Sequence, residues 1–295
     1  MPTFRPAASL GAIALTVTAL AGLSLAGRAL AGAGPASAGA GSAFAGARPA
    51  FAGQALAGAG FARPVLAVAA VPDRGVLPPK NPARNVSPDP NFLAARSCSG
   101  GGDSAACNAI VARAVAHARK VLEKIGGMSF SLPAYEKLTP GEQLFVTANL
   151  ERIERGLPAI VVLTRSLDKV AQAGANADTD PPLAKVPARL PGGGRWISLG
   201  GNWAGGYDNP LGADYGWMYD DKGSAWGHRD NILGQYVSSS SCGGRRHEIA
   251  MGAGHVTRGK AYGDSETQLF AGICGPTPTD VVITWARAEK LLHIT

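Results

Sequence analysis

The chain has 295 residues, a length that allows one or two domains. Its formal net charge is +7, and charged residues make up 17% of it. Its 28 Lys and Arg residues are scattered along the chain. A nucleic-acid-binding protein concentrates its basic residues on one face with interleaved aromatic residues. The composition therefore excludes nucleic acid as a predicted partner.

The N-terminal segment has the three parts of a secretory signal. Arg5 precedes an apolar stretch over residues 7–26, and Ala36-Ser37-Ala38 matches the Ala-x-Ala cleavage pattern. We therefore predict a signal peptide over residues 1–38 and a secreted, extracellular or cell-envelope location. An uncleaved anchor is the alternative, because about 18 apolar residues can span a bilayer. In that case only this segment would contact the membrane.

A low-complexity segment follows. Residues 39–71 are dominated by Ala and Gly, which supply 19 of the 33 residues, and residues 71–90 are rich in Pro. Such compositions are typical of linkers, so we predict a disordered linker over 39–90 and a folded domain over 91–295. One functional alternative makes this Ala/Gly-rich stretch the working part of a structural surface protein.

Four cysteines lie within the predicted domain, at Cys98, Cys107, Cys242 and Cys274. An even number of cysteines behind a signal peptide indicates disulfides formed in an oxidising compartment. Three pairings are open. Cys98 with Cys107 and Cys242 with Cys274 is favoured, because each pair closes one compact segment.

Apolar periodicity and capping residues predict four helices. They cover about 105–125, 139–155, 164–175 and 209–219. Thr139 and Glu142 form a capping box around Pro140, and Gly156 suits the left-handed residue after the helix. Thr164 or Ser166 can cap the third helix.

The predicted strands come later in the chain. Residues 247–256 and 267–274 alternate between apolar and polar residues, which favours two antiparallel strands, and residues 281–285 are a third candidate. Residues 191–206 are predicted only as a Gly-rich stretch. Helices first and strands later indicate an α+β fold.

Four stretches of the chain resemble the CAP superfamily, also called the SCP domain, of cysteine-rich secretory, antigen 5 and pathogenesis-related proteins. The resemblance covers about residues 138–274. The four stretches are Asn149-Leu150-Glu151-Arg152 with Gly156-Leu157-Pro158, residues 167–175, Gly227-His228-Arg229 with Asn231-Ile232-Leu233, and Glu248-Ile249 before a Gly-rich strand. Secreted actinobacterial forms are the most similar type.

The resemblance implies a three-layer α-β-α sandwich, here with an extra N-terminal helix, and a cleft in which two His and two acids can bind a divalent cation. His228 and Glu248 match the second His and the second acid. Gly174 and Gly201 stand where the first His and the first acid are expected. Catalytic zinc usually has three protein ligands, so we expect no cofactor; any metal would have His228 and Glu248 as ligands. Acids that could substitute spatially are Asp178, Asp180, Asp214 and Asp220.

Aromatic residues cluster in sequence around this predicted cleft. Trp203, Tyr215, Trp217 and Trp226 are candidates for a ligand-binding wall, with packing of a Gly-rich region as the alternative. Arg229, Asp230 and Asn231 are predicted to be structural.

The predicted function is a non-catalytic binding or interaction module for an envelope, lipid-like or small-molecule ligand. A hydrolase of the peptidase or esterase type, with His228 as base and Glu248 or a nearby Asp orienting it, is the alternative.

Overall fold

The structure is a computed structural model that describes residues 78–98, 104–207, 209–234, 240–245, 247–259 and 261–294. The predicted signal peptide and the Ala/Gly-rich part of the linker lie outside these residues. Among the described helices, none combines the length and the apolar character needed to cross a membrane.

Three of the described helices begin at predicted capping residues, namely Thr139, Thr164 and Asn209. Thr139 and Glu142 form both bonds of the capping box, with 2.9 Å from the Thr139 amide to Glu142 Oε2. Asn209 Oδ1 accepts from the Gly212 amide at 2.7 Å, which confirms a helix start there. The helices are α1 (Ala105–Glu123), α2 (Leu132–Tyr135), α3 (Pro140–Ile153), α4 (Arg165–Ala177), α5 (Pro210–Tyr219), α6 (Gly227–Leu233) and α7 (Trp285–Leu292).

The described strands form one sheet in the order β2-β4-β3-β1-β5. The strands are β1 (Val162–Thr164), β2 (Arg195–Gly205), β3 (His247–Gly259), β4 (Gly263–Cys274) and β5 (Val281–Thr284). Strand β1 runs parallel to β3, and the other neighbours are antiparallel. The β3, β4 and β5 predictions are confirmed. Strand β2 lies in the stretch predicted only as Gly-rich, and β1 was not predicted.

Helices pack on both faces of this sheet, so the α+β class is confirmed. Met251 and Phe270 point toward the apolar cluster that contains α1, α3 and α5, whereas Ala250 and Leu269 point toward α4. Glycines in β3 allow α4 to approach closely. A Cβ on Gly252 would lie 2.2 Å from the Leu167 carbonyl carbon, which is too short for two carbon atoms that are not bonded. The close approach of α4 therefore requires glycine at this position.

The Asn149 and Arg152 motif is structural. Asn149 binds both backbone groups of Ile160, at 2.7 Å to the amide and 3.1 Å to the carbonyl. The Arg152 guanidinium donates to the carbonyls of Pro158 at 2.8 Å and Ile232 at 2.6 Å. The end of α3 is thereby tied to the C-terminal carbonyls of α6, the helix that carries His228.

Both disulfides have the favoured pairing, Cys98–Cys107 and Cys242–Cys274. The domain was predicted to begin at Asn91, but the Pro-rich segment before this residue also contacts the folded part. The Val86 amide donates to the Tyr219 carbonyl at 2.9 Å, and the Tyr215 hydroxyl donates to the Val86 carbonyl at 2.7 Å. Ordered contacts therefore extend into the predicted linker.

Candidate functional site

His228 lies in the first turn of α6, a short helix rather than the turn suggested by its Gly-His-Arg sequence. The two residues that precede the helix, Ala225 and Trp226, both have left-handed backbone angles, with φ of 54° and 66°. Non-glycine residues rarely adopt this region, and consecutive ones bend the chain sharply. The bend folds α6 back onto Asp221, which lies two residues after the end of α5.

Asp221 is the direct partner of His228. Its Oδ1 lies 2.7 Å from His228 Nδ1, and its Oδ2 accepts from the His228 amide at 3.0 Å. Asp221 is buried, whereas 23% of the His228 side chain is exposed. The hydrogen bond that the His228 ring donates to Asp221 raises the pKa of His228; partial burial opposes the rise, and the charges of Asp221 and Asp180 add to it.

Two asparagines anchor α6 to β2, the edge strand of the sheet. Asn231 Nδ2 donates to the Gly201 carbonyl at 2.8 Å, and Asn202 Nδ2 donates to the His228 carbonyl at 3.2 Å. Arg229 is completely buried and pairs with Glu123 of α1. The predicted structural roles of Arg229 and Asn231 therefore agree with their contacts. The contacts of Arg229 and Asn231 hold the backbone of α6 in place beside the His228 imidazole.

Pro181 fills the space above Gly174 and Gly201. A Cβ on Gly174 would lie 2.9 Å from Pro181 Cα, and a Cβ on Gly201 would lie 3.2 Å from Pro181 Cδ. Both glycines therefore face one buried proline at the two positions where the resemblance expects a His and an acid. Side chains of that size would displace the 179–183 segment.

The alternative acids do not complete a metal site around His228. Asp178 accepts from the Ala261 amide at 2.8 Å, and Asp214 is buried beside Glu151. Asp180 is exposed and acts on His228 through its charge. Within the described ranges, no group of three or more His, Cys, Asp or Glu residues is placed to hold a metal ion. Since Nδ1 already faces Asp221, the residues do not fit the four-ligand site of the family.

Glu248 forms no hydrogen bond or ion pair with His228 among the described residues. It pairs with Ile273 near the start of β3, and the Thr277 hydroxyl donates to its Oε2 at 2.7 Å. Gly201, beside α6, pairs with Leu269, four residues earlier in β4. Glu248 and Gly201 are therefore four residues apart along the strands and two strand spacings apart across the sheet. This corresponds to about 16 Å between their Cα atoms. The strand register thus separates Glu248 from the β2 residue that anchors α6.

Most of the predicted aromatic wall is buried. Tyr215, Trp217 and Trp226 are 1%, 2% and 5% exposed. Trp217 Nε1 donates to the Trp203 carbonyl at 3.0 Å. Trp203 is partly exposed, and its ring meets Tyr262 edge to face at 5.4 Å. Of the four candidates, Trp203 alone has a surface open to a ligand in this structure.

Comparisons with protein-family models, with curated proteins and with solved structures find no match to this chain. The site is therefore defined by its own geometry. Sequence reasoning missed Asp221 and Pro181. Neither had a local signal, since Asp221 lies five residues before the N-cap residue Trp226 and Pro181 reaches the site only through the fold.

Proposed function

We propose that the chain is a secreted, disulfide-stabilised domain of the CAP or SCP type that acts as a non-catalytic binding module. The observation that carries the proposal is the position of Pro181 over Gly174 and Gly201. In this arrangement a proline replaces the half of the cleft that supplies two metal ligands in the family. Helices on both faces of the sheet and two disulfides support the CAP-like three-layer fold and an oxidising compartment.

The ligand surface of this module is the part-exposed His228 imidazole beside the 179–183 segment. Asp221 and Asn202 hold His228 by its ring, amide and carbonyl, so the imidazole is preorganised and loses little freedom on binding. A charged or hydrogen-bonding group of an envelope or lipid-like ligand suits this surface.

A hydrolase is the second candidate, and the Asp221–His228 pair favours it. A carboxylate on Nδ1 orients an imidazole so that Nε2 can act as a general base. In the hydrolase version Asp221, rather than Glu248, is the orienting acid. However, among the described residues no hydroxyl group is hydrogen-bonded to the His228 ring, so the geometry supplies no activated nucleophile.

One substitution separates the two candidates. His228→Gln removes the imidazole, and His117→Gln, on the part-exposed face of α1, is the matched control. For the binding module we expect His228→Gln to lower co-sedimentation with insoluble cell-wall material or phosphatidylglycerol vesicles, and neither wild type nor variant to hydrolyse p-nitrophenyl esters or casein. Ester or peptide turnover that disappears in His228→Gln, with an unchanged Tm, would instead establish the hydrolase.

A further inference from the structure

A second candidate site lies between α3, α4 and the open edge of β3. Strand β1 pairs with β3 only at Ala250 and Met251, so the backbone beyond Met251 has no strand on that side. Helix α4 covers this edge instead. Asp168 Oδ1 accepts from the Ala253 amide at 2.8 Å, and Gln172 binds both the amide and the carbonyl of His255, at 3.2 and 3.0 Å. These bonds give the site a fixed floor.

The cavity above this floor has a volume of about 470 Å³ and is lined by charged groups of both signs. This volume lies within the range of about 300–1,000 Å³ that is common for small-molecule sites. Arg165 and Lys169 are exposed and one helical turn apart on α4, with Asp168 between them. In the described part of the chain, neither cation forms an ion pair with a carboxylate.

His255 adds an oriented imidazole to the same cavity. Its Nδ1 lies 3.5 Å from Oε1 of Glu266, a fully buried acid on the neighbouring strand. Only 16% of the His255 side chain is exposed, and it lines the cavity beside Gln172. The exposed charges of the cavity are therefore the two cations, Arg165 and Lys169, beside the single carboxyl group of Asp168.

We infer that this cavity binds a small ligand of about one sugar unit in size that carries a carboxylate or a phosphate. Arg165 would engage the oxyanion through its planar guanidinium, with Lys169 as a second positive charge. The inference concerns a site separate from His228 and does not depend on the proposed function.

Asp168 makes the binding dependent on pH. Burial raises its pKa to about 7; the hydrogen bond from the Ala253 amide and the charge of Arg165 oppose the rise, and the charges of Asp280 and Glu142 add to it. Lys169 and His255 line the same cavity. The Asp280 carboxylate accepts a hydrogen bond from the Ser166 amide at 2.7 Å, and the Glu142 carboxylate accepts from the Thr139 amide in the capping box. Both carboxylates are therefore bound to backbone groups of their own neighbourhood. As the pH rises through about 7, Asp168 gains negative charge and repels the ligand.

The test titrates the full chain with glucuronate, inorganic phosphate and neutral glucose by isothermal titration calorimetry. We expect glucuronate or phosphate, or both, to bind and glucose not to bind; the stronger anion identifies the source of the oxyanion. Arg165→Met should weaken anion binding by about tenfold or more, because it removes the charge-assisted hydrogen bonds of the guanidinium to the oxyanion. Arg113→Met, an exposed arginine on α1, is the matched control.

Asp168→Asn provides the second readout. Wild-type affinity for glucuronate, whose carboxylate stays ionised throughout this range, should fall between about pH 6 and pH 8, and the Asn variant should reduce that dependence. Equal binding of glucose and glucuronate, an affinity unchanged in Arg165→Met, or binding of neither anion would each overturn the inference. His228→Gln should leave anion binding intact, so that failure here is distinguishable from failure at the His228 surface.

Discussion

Asp221 holds His228 through contacts with both its ring and its backbone. One carboxylate oxygen faces Nδ1, and the other accepts from the amides of His228 and Arg229, at 3.0 and 3.4 Å. The same buried acid therefore orients the imidazole and caps α6. Loss of its charge is expected to affect the titration of His228 and the stability of the short helix together.

The first prediction concerns the variant Asp221→Asn. It should lower the pKa of His228 from its raised value to its ordinary range or below, since partial burial then acts without the opposing carboxylate. Because the pKa of His228 is raised in the folded state, its protonation stabilises the protein fully at pH values below the unfolded-state pKa of about 6.5. This stabilisation is lost as the pH rises through the folded-state pKa. NMR titration of the His228 Cε1 proton measures the change. Asp180→Asn should produce a smaller decrease, and an equal decrease in both variants would contradict the assignment.

At the scale of elements, Arg152 links three segments that are distant in sequence. It lies in α3 and donates to the carbonyls of Pro158, before β1, and Ile232, in the last turn of α6. The side chain is completely buried, and burial lowers its pKa to about 10. Its bonds satisfy carbonyls at a helix end that the helix itself cannot satisfy.

The second prediction is a stability effect of Arg152→Met. The Met side chain fills much of the space but leaves the Pro158 and Ile232 carbonyls without a donor, which should cost about 2–5 kcal/mol of unfolding free energy. Urea denaturation followed by circular dichroism measures the change. The exposed Arg113→Met control should remain within about 0.5 kcal/mol of wild type. A similar loss in both variants would show that Arg152 is not a specific anchor.

Sequence patterns predicted those elements that have local signals and missed those that depend on distant contacts. Thr139 and Asn209 mark their helix starts by short-range capping, which the sequence shows directly. Strand β2 was missed because Gly200, Gly201 and Gly205 remove the alternation of side chains that identifies a strand. Pro181 could not be predicted at the site, since only the fold brings it over glycines in α4 and β2.

At the scale of the whole molecule, a buried ionic network joins α1, α3, α5 and α6, with α6 connected through Arg229, which shares Glu123 with Arg155. The Glu151 carboxylate of α3 accepts hydrogen bonds from the Arg119 guanidinium of α1 at 2.8 Å and from the Tyr219 hydroxyl of α5 at 2.6 Å. It also forms an ion pair with Arg155. Burial acts to raise the pKa of Glu151, but Arg155 and Arg119 lower it overall. The network therefore keeps its acid charged inside the protein and couples the helices that surround the His228 helix.

The two disulfides stabilise this architecture to different degrees, which provides the third prediction. Cys242–Cys274 joins residues 32 apart, whereas Cys98–Cys107 joins residues nine apart. A cross-link lowers the entropy of the unfolded chain more for a longer loop, and loop lengths of this size correspond to about 4 and about 3 kcal/mol.

Replacing both cysteines of a pair by Ser, in the full chain, should therefore destabilise the Cys242/Cys274 variant more than the Cys98/Cys107 variant by about 1 kcal/mol. Urea denaturation under oxidising conditions measures both variants. Wild type under reducing conditions should be less stable than either variant, because it loses both constraints. A larger loss in the Cys98/Cys107 variant would mean that this bond acts mainly by anchoring the segment before α1 to the folded domain.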